Sequence, residues 1–597
     1  MVKINNIAYI GINSSYSHSM LAYGKLRAWA ESHGIKANWH EFTRTIKDYD
    51  NGLVAEIIDA DVQIVFATCY LFNVETVVKV LAMIKAICPE IVIAVGGPEF
   101  LGDNEKFLRR YSFVDYCVRG DESSLHNFLK QLEGNIDFKK NISATGLCYL
   151  DDVSKYIDNG CALFEGNADE LPSLYEMRLF STNKAFVQYE TSRGCPNQCS
   201  FCTSSLSSNK LLLHSVERVR RDLKIIQTAG IKEIRLLDRT FNANKRRTIT
   251  LLKMFIEEFS DMRFHLEIYP ALVDEEICEI LASAKKDQLH VEVGVQSLNK
   301  NILHACKRNF KVEKTLDGIR QLLTVNKFEI HGDLLSGLPE QRLSDIFYDV
   351  YGLMRLKVDE IQLEVLKILP GTPIAELLPE GHCFNPLTPY QVLKTKFLSV
   401  KDLAIADDLS KLLDSFYNNE KIQYCFTKIM QINLDQLLKF CIFYRKHNSG
   451  MQKLAINKRF DILSNFIEED QDICKNLDYY WQLLKFCWLK QALPPEKFGY
   501  KVMKNQTALF PHKDEDNISE EMEALIAQLK NKKNCCDFIA DNKQCERASR
   551  FCLVKFDYDF MDKSGDDSLD NNVECYYIFR FLHGQRLHSV TRIKMDN

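Results

Sequence analysis

The sequence predicts an α/β protein in three parts: a doubly wound parallel domain, a partial (β/α)6 barrel, and a mostly helical C-terminal region. Three observations predict it. Short, uncharged apolar runs alternate with helical periodicity over residues 1–135, and the alternation of strand and helix resumes over 183–372. From about residue 385 the alternation gives way to long helical stretches rich in Leu, Phe and Tyr. A tight group of three cysteines stands at the head of the second alternating series.

In the first series the apolar runs Ile7–Ile12, Val62–Tyr70, Ile91–Val95 and Tyr116–Val118 are strand candidates, and residues 36–42 (KANWHEF) form a weaker one. Helical periodicity falls between them at Ser19–Ser32, Thr45–Ala60, Val74–Ile87 and Ser123–Glu133. Continuous apolar strands suit a parallel sheet covered on both faces. About five such units make a flavodoxin-like domain that binds ligand at the carboxyl ends of its strands. Residues 136–180 break the rhythm and read as a connector, with GLCYLDD and CALFEG as a small hairpin.

The second series has strand candidates at Ala185–Glu190, Glu233–Leu237, Arg263–Ile268, His290–Val295, Phe328–Leu335 and Glu360–Leu366. Helices such as Val216–Thr228 and Thr248–Phe259 separate them. Six βα units predict a partial barrel over 181–380, with functional residues on the loops after the strands. Residues 381–597 form the helical region, for example at Asp408–Phe416 and Leu434–Tyr444. The alternation in VKFDYDF and CYYIFRFL predicts a small sheet within Phe551–Met595, and the charged stretch Lys513–Glu521 reads as a solvated linker.

Composition narrows the class. The 597 residues are 46% hydrophobic and 26% charged, with net charge −5, which gives no overall attraction to nucleic acid. No apolar stretch approaches a membrane span, and the opening MVKINNIAYIGINSS reads as a buried strand rather than a signal peptide. A cytoplasmic location is therefore expected. Most of the 20 cysteines would be reduced there, so closely spaced ones point to metal rather than disulfides.

The segment YETSRGCPNQCSFCTSS sets Cys195, Cys199 and Cys202 in a C-x3-C-x2-C pattern after a strand. Three thiolates from one loop hold three irons of a [4Fe–4S] cluster. No other cysteine lies between Cys161 and Cys278, so one iron is left open for chemistry. Zinc fits poorly, because it wants four ligands, often as two C-x2-C pairs.

On these residues the segment 183–372 resembles the radical S-adenosylmethionine (SAM) superfamily. The resemblance implies that the open iron chelates SAM through its amino and carboxylate groups, and that electron transfer then yields a 5′-deoxyadenosyl radical. In LLDRTFN, after the second strand, Asp238 and Asn242 stand where the superfamily binds the methionine amine, although its common Gly-Gly-Glu form is absent. EVGVQS ends the fourth strand with the cofactor-binding candidates Glu292, Gln296 and Ser297, the last two for ribose or carboxylate. HGDLLSGLPEQ ends the fifth, where Gly337 suits a turn passing close to the adenine.

In the first domain, IVIAVGGPEF ends a buried strand with Gly96, Gly97 and Pro98. FATCYLFN brings Cys69 and Tyr70, and INSSYSHSML brings Ser14 and His18, to the same sheet edge. With the downstream triplet and VDYCVRGDES, residues 1–135 resemble the cobalamin-binding domain that precedes many radical SAM domains. The Asp-x-His-x-x-Gly motif is missing, since Tyr16 stands where it needs Asp. A cobalamin without a histidine below the cobalt is therefore expected, His18 being as well read as an ordinary loop residue. YSHSMLA, DRTFNANK and GVQSLN further resemble a subgroup whose C-terminal helical region is uncharacterised.

The resemblance implies a cobalamin-dependent radical SAM enzyme that transfers a methyl group from methylcobalamin to an unactivated carbon. Rearrangement or cyclisation without methyl transfer, a methylthiotransferase using Cys69, Cys88 and Cys117, and a non-enzymatic cobalamin or redox sensor are the alternatives. The expected partners are a small-molecule or peptide substrate and an electron donor such as flavodoxin or ferredoxin, with neither membrane nor nucleic acid. Cys535, Cys536, Cys545 and Cys552 read either as free thiols or as an auxiliary zinc or cluster site.

Overall fold

A computed structural model describes residues 4–48, 51–134, 142–206, 211–308, 311–447, 454–491, 549–561, 572–582 and 588–593. The chain divides into two compact units, residues 1–410 and 411–597.

The first unit opens with β1 (Asn6–Asn13), α1 (Leu21–Ser32), β2 (Asn38–Thr45), α2 (Asn51–Asp59), β3 (Ile64–Thr68), α3 (Val74–Ile87), β4 (Val92–Gly96), α4 (Glu105–Arg110), β5 (Tyr116–Val118) and α5 (Ser123–Gly134). Five parallel strands lie in the order β2-β1-β3-β4-β5, the doubly wound arrangement. The burial pattern explains the order. IVFAT in β3 is buried throughout and sits centrally, whereas NWHEFTRT in β2 is half exposed and takes the edge. Side chains alternate between faces. Ala8, Ile10 and Val65 pack with α2 and α3, while Ile7, Tyr9 and Phe66 pack with α1 and α5.

The predicted connector differs. β6 (Leu147–Leu150) and β7 (Tyr156–Asp158) form a hairpin that continues the same sheet, with β6 antiparallel to β5, so the sheet has seven strands. The returning strand is YID rather than CALFEG. The Asp151 side chain accepts from the N–H groups of Val153 and Lys155 and closes the turn early.

The second series comprises β8 (Val187–Tyr189), the short pair β9 (Ser192–Arg193) and β10 (Leu212–Leu213), α6 (Val216–Thr228), β11 (Glu233–Leu236), α7 (Lys245–Glu257), β12 (Arg263–Ile268), α8 (Glu275–Ala282), β13 (Leu289–Gln296), α9 (Lys300–Ala305), α10 (Val312–Val325), β14 (Ile330–Ser336), α11 (Leu343–Leu356), β15 (Glu360–Val365) and α12 (Pro373–Glu376). Six parallel strands run in the order β15-β14-β13-β12-β11-β8, the open barrel that six βα units predict. In β13 (LHVEVGVQ) the apolar residues are buried and the alternate His290, Glu292, Gly294 and Gln296 are only partly so. Polar residues therefore share one face of the strand series.

The unit runs past residue 380 through β16 (Cys383–Phe384), β17 (Val392–Lys394) and most of α13 (Val400–Leu412), which the sequence assigns to the helical region. Backbone bonds from Ile368 N to Tyr390 O and from Val392 N to Leu366 O stitch this segment to the end of β15.

The second unit holds α14 (Glu420–Met430), α15 (Gln436–His447), α16 (Ile456–Glu469) and α17 (Leu477–Lys490), then an antiparallel sheet of β18 (Ser549–Tyr558), β19 (Asn572–Leu582) and β20 (His588–Ile593). Every residue of α17 from Tyr480 to Leu489 is buried, so this helix is the centre of its bundle. Cys535, Cys536, Cys545 and Lys513–Glu521 lie outside the described residues, and of Cys552 only the backbone, in β18, is described. No described helix is long and apolar enough to cross a membrane.

Candidate functional site

The cysteine triplet sits on a loop closed at its base by β9 and β10, which pair antiparallel with Arg193 opposite Leu212. Gly194, at φ +92°, turns the chain into the loop. The loop is pinned from two sides: Ser200 N donates to Cys306 O at 2.9 Å, and Ile374 N donates to Ser200 O at 3.0 Å. Cys195, Cys199 and Cys202 all line one cavity of about 240 Å³.

The cavity supplies donors to sulfur. Arg308 Nη1 lies 3.5 Å from Cys199 Sγ, and its guanidinium is held by the Gly294 carbonyl and by the Tyr269 ring, 5.6 Å from its centroid. Burial pushes the Cys199 thiol up, and Arg308 pulls it back. Asn197 Nδ2 and Thr240 Oγ1 lie 3.8 Å and 3.6 Å from Cys195 Sγ. A fourth thiol, Cys306, interacts with Cys199 but is fully buried and does not line the cavity. Three thiols with cationic and polar N–H donors, opening on a cavity, fit a cluster with one exposed iron.

Glu267, Glu292 and Asp333 line the same cavity from β12, β13 and β14. His265 Nε2 bonds Glu292 Oε2 at 3.0 Å and holds Glu292 down at about 2. Asp333 is pushed up to about 9, first by burial and then by Glu292 beside it. At neutral pH the pair therefore keeps one proton and one negative charge.

The sequence-predicted SAM residues divide. Glu292 and Gln296 line the cavity, whereas Asp238, Asn242, Ser297 and Gly337 do not. Asp238 is 1% exposed, and its carboxylate accepts from Thr191 N (2.7 Å), Thr191 Oγ1 (2.5 Å) and Ser192 Oγ (2.6 Å). The expectation that it meets the methionine amine does not fit this geometry, because its oxygens are committed to the strand leading into the cysteine loop. Its neighbours Arg239 and Thr240 reach the cavity instead. Asn242 exchanges two bonds of 2.9 Å with the backbone of Tyr269 and ties the loops after β11 and β12. Ser297 is buried and accepts from Asn299 N, and Gly337 (φ +87°) donates its N–H to Gln341 Oε1 at 2.8 Å.

Sequence reasoning missed Arg308, Arg239, Tyr269, Glu267 and Asp333. The two carboxylates carried a signal, since FHLEI, LHVEV and IHGDL repeat a His-x-acid spacing on three strands.

A second cleft, of about 180 Å³, opens at the carboxyl ends of the first sheet. Tyr70, Gly96, Gly97 and Pro98 line it, together with apolar Leu26, Phe66 and Leu125. Asn73 fixes its rim, accepting from Tyr70 N at 2.7 Å and donating to Ile12 O and Thr68 O. Gly97 has φ +104°, and a Cβ there would meet Cys69 O at 2.7 Å. Ser14, His18 and Cys69 do not line this cleft. Ser14 is exposed. His18 Nδ1 pairs with Ser15 Oγ at 2.9 Å, and its ring stands edge-on to Phe186. Cys69 is 0% exposed, with burial pushing its thiol far up, so the expected cofactor contact is a core residue.

Partly buried charges join cleft and cysteine loop. Lys25 pairs with Glu190, and Arg193 pairs with Glu122 at 2.9 Å and Glu190 at 3.2 Å. Lys25 and Glu122 line the cleft, while Arg193 is two residues from Cys195. Burial alone would push Glu190 up, but Lys25 and Arg193 outweigh it and hold the carboxyl well below its usual range. Tyr70, in the cleft, feels both Glu190 and the cavity's Arg239.

Residues 189–347 match the model of the Radical SAM superfamily, so this segment is a radical SAM domain. Residues 381–579 match the family described as Protein of unknown function (DUF4080). The chain is 27% identical over 356 residues to the Uncharacterized methyltransferase PH0819 of Pyrococcus horikoshii, covering 56% of this chain and 71% of the relative. It is 24% identical over 564 residues to the 2-(S-pantetheinyl)-carbapenam-3-carboxylate methyltransferase of Streptantibioticus cattleyicolor, covering 81% of this chain and 79% of the relative. A tRNA-2-methylthio-N(6)-dimethylallyladenosine synthase of Buchnera aphidicola matches at 24% identity over 48% of this chain, and the match spans only 62% of that enzyme. The solved structure of the radical SAM methyltransferase TsrM from Kitasatospora setae, with cobalamin and a [4Fe–4S] cluster bound, has the same fold. It superposes with a TM-score of 0.53 at 16% identity, over 67% of this chain and 81% of TsrM.

Proposed function

We propose that a chain built around this radical SAM domain is a cobalamin-dependent radical SAM methyltransferase, which moves a methyl group from methylcobalamin to an unactivated carbon. The observation that carries the reading is the cavity shared by Cys195, Cys199, Cys202, Arg308 and the Glu292–Asp333 pair, taken with a methyltransferase relative that matches 81% of the chain. The subgroup with an uncharacterised C-terminal helical region is part of this proposal.

When bound, a [4Fe–4S] cluster supplies the electron that cleaves SAM, and cobalamin supplies the methyl carrier. Cys195, Cys199 and Cys202 would hold the cluster, and Arg308 would donate to sulfur and keep water from it. Glu267 and Glu292, rather than Asp238, would accept from the ammonium of SAM. The Glu292–Asp333 pair would give or take a proton at the cavity wall. Tyr70, Gly96, Gly97 and Pro98 would bear the cobalamin against the ends of β3 and β4. The electron would come from a flavodoxin or ferredoxin. The substrate would be a small molecule or peptide rather than nucleic acid, and the setting cytoplasmic.

The methylthiotransferase alternative wants three convergent cysteines in the first domain. Cys69 and Cys117 are instead fully buried, and Cys88 caps α3 at the sheet's opposite edge from Cys69.

The test is anaerobic incubation of reduced, reconstituted protein with hydroxocobalamin and methyl-labelled SAM. Transfer of label to cobalamin, together with release of S-adenosylhomocysteine and 5′-deoxyadenosine, is expected. Failure of an intact cluster to yield either nucleoside product refutes the reading.

A further inference from the structure

The His-x-acid repeat has a second layer. His265 and Glu267 on β12, His290 and Glu292 on β13, and His331 and Asp333 on β14 are the partly exposed members of their strands, alternating with buried apolar or glycine positions. Residues two apart in a strand face the same way. His265 is in register with His290, and His331 is one pair further along, level with Glu292. The three rings stack edge to face, with centroids 4.6 Å and 4.2 Å apart. The carboxylates face the cysteine cavity. The imidazoles lie about 6–7 Å nearer the start of each strand.

We propose that His290, Glu329 and His331 form a separate metal site for a divalent first-row transition ion of the zinc type, at the N-terminal ends of β13 and β14. Their donor atoms all lie within 4.8 Å of one another. Around a tetrahedral ion with bonds of about 2.0–2.1 Å, donors stand roughly 3.3 Å apart, so side-chain rotation closes the remaining gap. His331 Nε2 is buried and makes no hydrogen bond, although Glu360 Oε2 stands 3.1 Å from it. Glu360 thus flanks His331 but is not one of the three convergent donors, so water would take the fourth position. Two imidazoles and one carboxylate are a donor set that zinc takes. They favour borderline ions over calcium or magnesium, which take oxygen alone, and over iron–sulfur clusters, which take thiolate. Glu329 is exposed and gives the ion a way in from solvent. The site ties two adjacent strands at the end opposite the chemistry, where barrels are built for stability.

The test uses full-length, cluster-loaded protein, so that the cysteine loop is occupied, with Zn²⁺ as the probe in competition with a chromophoric chelator. One tightly held equivalent is expected, with a rise in melting temperature as the ion is added. A His290→Ala/His331→Ala double variant should lose both. Glu329→Gln alters only an exposed ligand, so it should keep the wild-type iron content and bind Zn²⁺ roughly tenfold or more weakly. This variant decides the matter if the double variant fails to fold. Absence of a bound equivalent in the wild type, or unchanged affinity in Glu329→Gln, overturns the proposal.

Discussion

Replacing Asp238 by alanine separates two accounts of this residue. The carboxylate accepts three hydrogen bonds from Thr191 and Ser192, the pair leading into the cysteine loop. Alanine strands the buried Thr191 N–H, at about 1–3 kcal/mol, and removes two bonds to a carboxylate, each worth about 1.5–3 kcal/mol net. Both hydroxyls can rotate, and the cost of burying the carboxyl disappears with it. A loss of about 3–5 kcal/mol is therefore expected, a large part of a typical domain's stability. Asp238→Asn keeps one acceptor oxygen and should fall between. The assays are urea unfolding, iron per chain after reconstitution, and SAM affinity of the iron-loaded fraction. Lower stability and less iron, with SAM affinity unchanged in the loaded fraction, are expected. Full iron and wild-type stability with at least tenfold weaker SAM binding would refute the clamp and restore Asp238 as a ligand of the methionine amine.

Arg308→Met should retain most of the iron but move the cluster's reduction potential to more negative values, because a cation and an N–H donor to Cys199 are lost; redox titration followed by electron paramagnetic resonance checks this. Burial pushes Asp349 up to about 7, its carboxylate accepting from Leu298 N at 2.8 Å. A raised carboxyl stabilises the fold at low pH, and that contribution, about 4 kcal/mol in full, is lost as pH rises from about 4 through 7; thermal melts of Asp349→Asn should lack this slope. Gly97→Ala puts a Cβ 2.7 Å from Cys69 O at a φ of +104°, so it should destabilise by about 1–3 kcal/mol and weaken retention of cobalamin, read by its absorbance after gel filtration.

The two parallel series were legible because strand runs alternate with helical periodicity at regular spacing, with continuous apolar runs such as IVFAT in the first and buried positions alternating with polar ones, as in LHVEVGVQ, in the second. The triplet was legible because its spacing is local. The hairpin strand was misjudged because an Asp151 turn, not apolar pattern, decides where the chain returns. Arg308 reaches the cavity from the turn at Lys307 after α9, and nothing in CKR announces it. Asp238 shows the converse: the right residue type after the right strand, turned by two hydroxyl residues toward the loop it supports. Cys69 likewise sits at a strand end in sequence yet points into the core.

The partly buried Lys25–Glu190–Arg193–Glu122 chain bears on how such a protein can be inherited or rebuilt. Glu190 and Arg193 belong to the barrel, and Lys25 and Glu122 to the sheet before it. A chain begun at residue 181 would lose Lys25 and Glu122, keep only the Arg193–Glu190 pair and open it to water, where such a pair is worth little. A graft of the first sheet from a relative would have to bring an acid for Arg193 and a base for Glu190 in the same positions. The two parts are thus not interchangeable cassettes, and a change on one side of the seam is answerable to the other.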